Sequence, residues 1–232
     1  MQHALALAKA ARGHVWPNPP VGCVLIKKGV FLAEATTHPG GRPHAERAAI
    51  EQAAAKSGMS TEGATLYVTL EPCCHWGKTP PCTDAIIASR VRRVVCAIQD
   101  PDPRVNGGGF ERLRNAGIEV SVGLCASQAT RVMSGFFHRV RTGRAELLIL
   151  EHESTPIPDG VDALLFTADG ALSLCSRAPK GVKTTRIAQG TASDLLAGLA
   201  DMGLTTVAVC ADDPVAKELG AITNIRADRG AA

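Results

Sequence analysis

Aromatic side chains are scarce in this chain of 232 residues: five Phe, two Trp and one Tyr, 3% in all. So thin a supply argues against a surface that stacks the bases of single-stranded nucleic acid. Excess charge is lacking too. Twenty-five Lys and Arg against 22 Asp and Glu leave +3, too little to argue for nucleic acid or an anionic membrane as partner. No apolar run approaches the ~20 residues that span a bilayer. The N-terminal Met1-Gln-His-Ala-Leu-Ala-Leu-Ala-Lys9 has neither the basic start nor the apolar length of a secretory signal. The expected compartment is the cytoplasm. What is present, 45% hydrophobic and 20% charged residues, describes a globular chain able to bury one or two cores.

Eight cysteines in such a setting read as metal ligands or small core residues rather than disulfides. Cys23, Cys96 and Cys210 lie inside apolar, strand-like runs and are expected in the core. Cys73, Cys74 and Cys82 belong to a different kind of stretch, Glu71-Pro-Cys-Cys-His-Trp-Gly-Lys-Thr-Pro-Pro-Cys82. Upstream stands Pro43-His-Ala-Glu46. Together the two segments hold an imidazole, two well-spaced thiols and a spare carboxylate.

The elements around them alternate. Helices are expected over 1–12, 44–55, 82–89, 110–116 and 127–141, and strands over 21–26, 30–33, 65–70, 93–98 and 118–122. That pattern describes a three-layer α/β domain over residues 1–145, with a mixed, largely parallel sheet. Residues 146–232 form a second, smaller α/β region. Its strands are expected at 146–151, 163–167, 184–188 and 205–210, its helices at 193–202 and 214–219, and its end at 226–232 as a frayed tail.

His44 and Glu46 are two apart, so on a regular helix they would diverge by roughly 200°. They can share one site only where a helix begins. Pro43 marks such a start, and Pro80-Pro81 marks another just before Cys82. A thiol in a first helical turn has its thiolate stabilised by the helix N-terminus. One His with Cys73 and Cys82 leaves the fourth tetrahedral position open, the pattern of a catalytic zinc. Zinc brings the pKa of bound water to about 7, and Glu46, not needed as a ligand, can move protons to a leaving amine. H-x-E followed by P-C and a second Cys is the zinc-deaminase signature. The plainer alternative is a structural zinc with Cys74 or His75 as fourth ligand, or no metal at all.

At these residues the chain resembles the deaminase domain of the bifunctional riboflavin-biosynthesis deaminase–reductase family, within the cytidine-deaminase-like group. The likeness also takes in Pro17-Asn-Pro19, Val21-Gly22, Gly41-Arg42, Asp100-Pro101 and the Phe136–Val140 segment with Arg144. Its specific mark is the eight-residue interval between Cys73 and Cys82. The resemblance implies hydrolytic deamination of diamino-ribosylamino-pyrimidinone 5′-phosphate. His44, Cys73 and Cys82 would hold Zn2+ and Glu46 would shuttle protons. Asn18, His75 and Asp100 would meet the pyrimidine or ribose, and Lys78 with Thr79 the 5′-phosphate. Thr37 stands where relatives often have His, and Asp102 where Asn is common. A homodimer, and a reductase on another chain, are the implied partners. The rival readings are a deaminase of another nucleobase or nucleotide, and a pseudoenzyme scaffold.

Residues 146–232 resemble a truncated, degenerate remnant of the family's reductase domain. Leu199–Leu219 matches its late strand–turn–helix, but Ala211-Asp212-Asp213 stands where paired glycines are usual. Two carboxylates there oppose a phosphate-bearing cofactor, so no reductase activity is expected.

Overall fold

The computed structural model describes residues 1–56, 60–152, 156–178, 181–188, 190–220 and 226–227. They form two compact units. The first comprises Met1–Ala11 and Pro19–Met133; the second comprises Arg12–Asn18 and the described residues from Ser134 onward.

In the first unit the elements run α1 (Gln2–Ala11), β1 (Gly22–Lys27), β2 (Val30–Thr36), α2 (Ala45–Ala55), β3 (Thr65–Val68), α3 (Cys82–Ala88), β4 (Arg93–Cys96), α4 (Gly108–Asn115), β5 (Glu119–Val122) and α5 (Ala126–Val132). The sheet order is β2-β1-β3-β4-β5. Strand β1 pairs antiparallel with β2 and β3, whereas β3–β4 and β4–β5 are parallel. Parallel neighbours need crossovers, and α3 and α4 supply them. Residues Gly22 to Leu25 are all buried, because a central strand covered on both faces reads as a continuous apolar run.

Gly22 lets α1 seat close to β1. A Cβ there would fall 1.9 Å from the Ala4 carbonyl oxygen. Its neighbour Cys23 points to the opposite face, since side chains alternate along a strand, and it feels the charge of Glu46 on α2. Helices α1 and α5 touch each other, while α2, α3 and α4 neighbour in sequence. These two groups are the outer layers. Leu25, Leu66, Ile86 and Leu113 are fully buried in the core, each contributing roughly 1.5–3 kcal/mol.

The second unit contains α6 (Ser134–Thr142), β6 (Glu146–Leu150), β7 (Ala163–Ala168), β8 (Ala171–Ala178), β9 (Gly181–Arg186), α7 (Ala192–Asp201), β10 (Thr206–Cys210), α8 (Pro214–Gly220) and β11 (Arg226–Ala227). Its sheet order is β11-β6-β10-β7-β8-β9. The first three pairings are parallel and the last two antiparallel. Leu147, Leu165, Leu174, Leu196 and Leu199 centre its core.

Several sequence expectations need correcting. Strand β8 was not expected, although Asp169-Gly170, both at positive φ, is a two-residue hairpin turn. The run expected at 184–188 is β9 at 181–186, and at the start of the tail expected to fray, residues 226–227 pair with β6, while 228–232 lie outside the described residues. The single helix expected over 127–141 is two helices, α5 and α6, meeting at the buried Met133. Cys210 ends β10 only half-buried, unlike Cys23 and Cys96.

The units divide between Met133 and Ser134, whereas residue 146 opens β6. Helix α6 goes with the second unit because Ser134 Oγ donates to Glu146 Oε2 (2.9 Å) and Arg139 Nε to the Ala200 carbonyl (2.8 Å). The 12–18 segment goes there too. Trp16 packs on the second core and its indole N–H donates to the Arg177 carbonyl at 3.1 Å. Among the described residues, no helix is long and apolar enough to cross a membrane.

Candidate active site

Strands β3 and β4 run in the same direction, so their C-terminal ends share one edge of the sheet, where open α/β folds bind ligands. The chain leaving β3 stays paired with the chain leaving β4 for a short distance: Ala97 N–H donates to Val68 O (3.0 Å) and Glu71 N–H to Ile98 O (3.0 Å). Cys73 follows directly. Pro81 caps α3, and Cys82 is the first helical residue. Its backbone N–H points at Cys73 Sγ, 3.3 Å away.

His44 is the residue that caps α2. Its backbone is extended (φ −68°, ψ 157°) while Ala45 already begins the helix. That one step outside the helix resolves the spacing problem, because His44 need not diverge from Glu46 by the helical angle. The imidazole Nδ1 lies 3.3 Å from Cys82 Sγ and 3.6 Å from Cys73 Sγ. All three donor atoms lie within 4.8 Å of one another.

This set fits zinc. A tetrahedral zinc with ordinary bond lengths separates a nitrogen ligand from a sulfur ligand by about 3.5 Å. Cys74 is outside the cluster: its thiol turns to the Arg104 carbonyl at 3.8 Å. Among the described residues, His75 is not part of the three-residue group either. The thiols are unequal. A hydrogen bond with the Cys82 thiol, and then one with His44, holds Cys73 well below the usual thiol range despite burial, and Cys82 is raised in turn. His44 is raised first by its bond with Cys73, against the opposing effect of burial.

Glu46, in the first turn of α2, is 4% exposed. Burial pushes its carboxyl up to about 7, partly offset by His44. It is hydrogen-bonded with Cys82, so the spare carboxylate stands beside the ligand set.

The remaining expected residues are placed as follows. Asp100 is buried, its Oδ1 accepts from Asp102 N–H at 2.9 Å, and burial pushes it up to about 6. His75 is half-buried, and its Nδ1 is enclosed without a hydrogen-bond partner among the described residues. Lys78 is exposed. Thr79 Oγ1 accepts from Arg42 Nη1 at 2.5 Å. Asn18 lies in the second unit's 12–18 segment, its N–H on the Val15 carbonyl at 3.1 Å.

Two residues of the family comparison have internal tasks. Thr37 is buried, donating to the Pro19 carbonyl and accepting from Val21 N–H. Asp102 does not leave a bare charge at the site, because Arg104 binds both of its oxygens and holds it below the usual carboxylate range.

Sequence reasoning gave no role to two further side chains. Arg42 Nη1 reaches Thr79 and also lies 3.3 Å from His44 Nε2, a half-buried cation joining the metal ligand to the 75–79 loop. The only local sign was its place beside Pro43. Glu71 belongs to the Glu-Pro-Cys run, but nothing in the spacing says what a carboxylate does there.

Residues 1–98 match the cytidine and deoxycytidylate deaminase zinc-binding region. The chain therefore carries a zinc-binding deaminase fold with His44, Cys73 and Cys82 as its metal site. It is 42% identical over 143 residues to the diaminohydroxyphosphoribosylamino-pyrimidine deaminase of Buchnera aphidicola subsp. Schizaphis graminum, covering 62% of this chain and 95% of that one. The chain belongs to this deaminase family. With the riboflavin biosynthesis protein RibD of Aquifex aeolicus it shares 52% identity over 137 residues, 59% of this chain and 37% of the relative. A crystal structure of the Thermotoga maritima deaminase/5-amino-6-(5-phosphoribosylamino)uracil reductase superposes with a TM-score of 0.78 at 28% identity. That match covers 97% of this chain and 84% of the other, so the second sheet matches the region beyond the deaminase. The chain spans 37 to 53% of the length of its RibD relatives from Aquifex aeolicus, Escherichia coli and Haemophilus influenzae.

Proposed function

We propose that this protein hydrolyses the 2-amino group from diamino-ribosylamino-pyrimidinone 5′-phosphate, releasing ammonia and 5-amino-6-ribosylaminouracil 5′-phosphate in riboflavin biosynthesis. The observation that carries the reading is the buried Glu46 beside the His44, Cys73 and Cys82 triad. Zinc bound there supplies Lewis-acid activation of the attacking water. Glu46 takes a proton from that water and delivers it to the departing amine, so one carboxylate serves both halves of the exchange. The balance is simple: water enters, ammonia leaves, and a ring carbonyl replaces the amino group.

Asp100 and His75 contact the heterocycle or ribose in this reading, with Asn18 as a further contact. Lys78 and Thr79 meet the 5′-phosphate. Arg42 joins them as a guanidinium suited to phosphate oxygens. A homodimer is the proposed assembly, and the cytoplasm the proposed compartment.

The second unit is proposed to lack reductase activity, a separate chain supplying that step. Asp213 closes the start of α8 from within: its oxygens accept from Thr167 N–H (2.7 Å), Thr167 Oγ1 (2.8 Å) and Val215 N–H (3.0 Å). A cavity of about 330 Å³ beside it is lined by Thr167, Leu195, Val215 and Glu218 among others, and by no Lys or Arg among the described residues. A phosphate-bearing cofactor there would meet the Glu218 carboxylate.

Ammonia release from the diaminopyrimidine nucleotide by zinc-loaded protein is the test. Release from another aminated heterocycle, with none from this substrate, would sink the substrate assignment. Oxidation of NADPH in the presence of the aminouracil product would overturn the reductase claim.

A further inference from the structure

Glu71 is 3% exposed and, among the described residues, forms no ion pair. Its charge is held by four backbone N–H groups instead. Oε2 accepts from Asp100 (3.2 Å) and Gly107 (3.0 Å), and Oε1 from Gly109 (2.9 Å) and Phe110 (3.2 Å). Two of these donors, Gly109 and Phe110, lie in the first turn of α4, where helical N–H groups have no partner of their own. A carboxylate at that position is favoured by the helix dipole as well.

Packing supports the same arrangement. A Cβ on Gly109 would lie 2.2 Å from the Pro72 carbonyl oxygen and 3.0 Å from Glu71 Oε1. The helix start therefore lies directly against the chain that delivers Cys73. Three segments meet at one carboxylate: the strand end carrying the metal ligand, the turn carrying Asp100, and the start of α4.

We infer that Glu71 is a positioning residue, fixing the Asp100 turn against the Cys73 strand end so that substrate contact and metal ligand keep one spacing. This rests on the proposed function only in taking Asp100 as a substrate contact. Glu71 touches no reacting atom. Its effect runs through the backbone of Asp100, whose carboxylate then holds the Asp102 N–H in turn.

A Glu71→Gln substitution keeps the shape but offers a single acceptor oxygen. Whichever way the amide turns, its NH2 group faces two of the four N–H donors. In zinc-loaded full-length protein, well below its melting temperature, the expected result is KM raised about tenfold, the lower end for outer-shell changes, with kcat and zinc content held. Glu71→Ala empties the same nest, and added formate is expected to bring KM back toward the wild-type value.

Wild-type KM and kcat in Glu71→Gln, at any melting temperature, would overturn the inference. So would a loss of activity that simply follows zinc content. If the wild-type protein fails to turn over the diaminopyrimidine, the functional reading falls first. The Glu71 inference is then read by amide hydrogen exchange, and unchanged protection at Asp100 and Gly107 in Glu71→Gln sinks it.

Discussion

Helices α2 and α3 in the first unit start after His44 and Pro81, whose side chains bond no N–H of the first turn, whereas α8 in the second starts after Asp213, whose side chain does. At α2 and α3 that neighbourhood carries His44, Glu46 and Cys82, and their side chains converge on a site that fits zinc. At α8 the preceding residue is Asp213, which turns its carboxylate back onto Val215 N–H and Thr167. The backbone device is the same. The side chains at the start decide whether a helix end gathers metal ligands, with the Cys82 N–H turned to the Cys73 thiol, or is closed internally. Helix α4 is an intermediate case, closed by Glu71, yet by a residue that reaches it from the metal-binding loop.

Substitutions can break this contrast, and the largest effect is expected at Glu46. Glu46→Gln should retain zinc, measured by metal content, while turnover falls by about 10²–10⁴; full turnover would remove Glu46 from the mechanism. Next comes Asp100→Asn. Asp100 is raised to about 6 by burial, so the native state binds its proton more tightly than the unfolded chain. Stability therefore falls as pH rises from about 4 to about 6 and stays reduced above that. Removing the charge should stabilise the protein by up to about 3 kcal/mol at pH 7, with the gain vanishing below pH ~4. Denaturant melts at the two pH values check this, and an equal effect at both would refute it.

A smaller effect is expected in the second unit. Asp213→Ala should destabilise by about 2 kcal/mol through the lost cap and the Thr167 bonds, with deaminase kcat unchanged; parallel melts and ammonia assays decide. Arg42→Ala sharpens the comparison within the first unit. It should reduce the preference for the 5′-phosphorylated over the dephosphorylated substrate by about tenfold, the scale of one charged hydrogen bond. An unchanged preference would leave Arg42 with a loop-tethering task alone.

The metal site was legible because His44 and Cys82 each follow a proline at a helix start and Cys73 follows Pro72 in the loop leaving β3, and such local signals survive in a linear sequence. His44, Glu46, Cys73 and Cys82 could be named from them. Glu71 and Arg42 could not be given roles, because their partners at 100–110 and at 79 are brought near only by the folded sheet and loops. The 12–18 segment shows the same limit: it reads as a loop between α1 and β1, and only the pairing of Trp16 with Arg177 ties it to the second unit. Strand β8 is different. Its Asp-Gly turn and alternating Leu172 and Leu174 were local signals, obscured by the mixed polarity of Ser173, Cys175 and Ser176.

The chain's two tryptophans have opposite surroundings and fall in different units. Trp16 packs against the second core with its indole N–H bonded, whereas Trp76, in the loop between Cys73 and Cys82, is 72% exposed. The protein thus carries two tryptophan fluorophores. Emission from Trp76, in water beside the metal loop, should be red-shifted and open to collisional quenchers. Emission from Trp16 should be bluer, quencher-resistant and sensitive to unfolding of the second unit. Trp76→Phe and Trp16→Phe would isolate each signal, allowing zinc loading and unfolding to be followed separately in one unlabelled molecule.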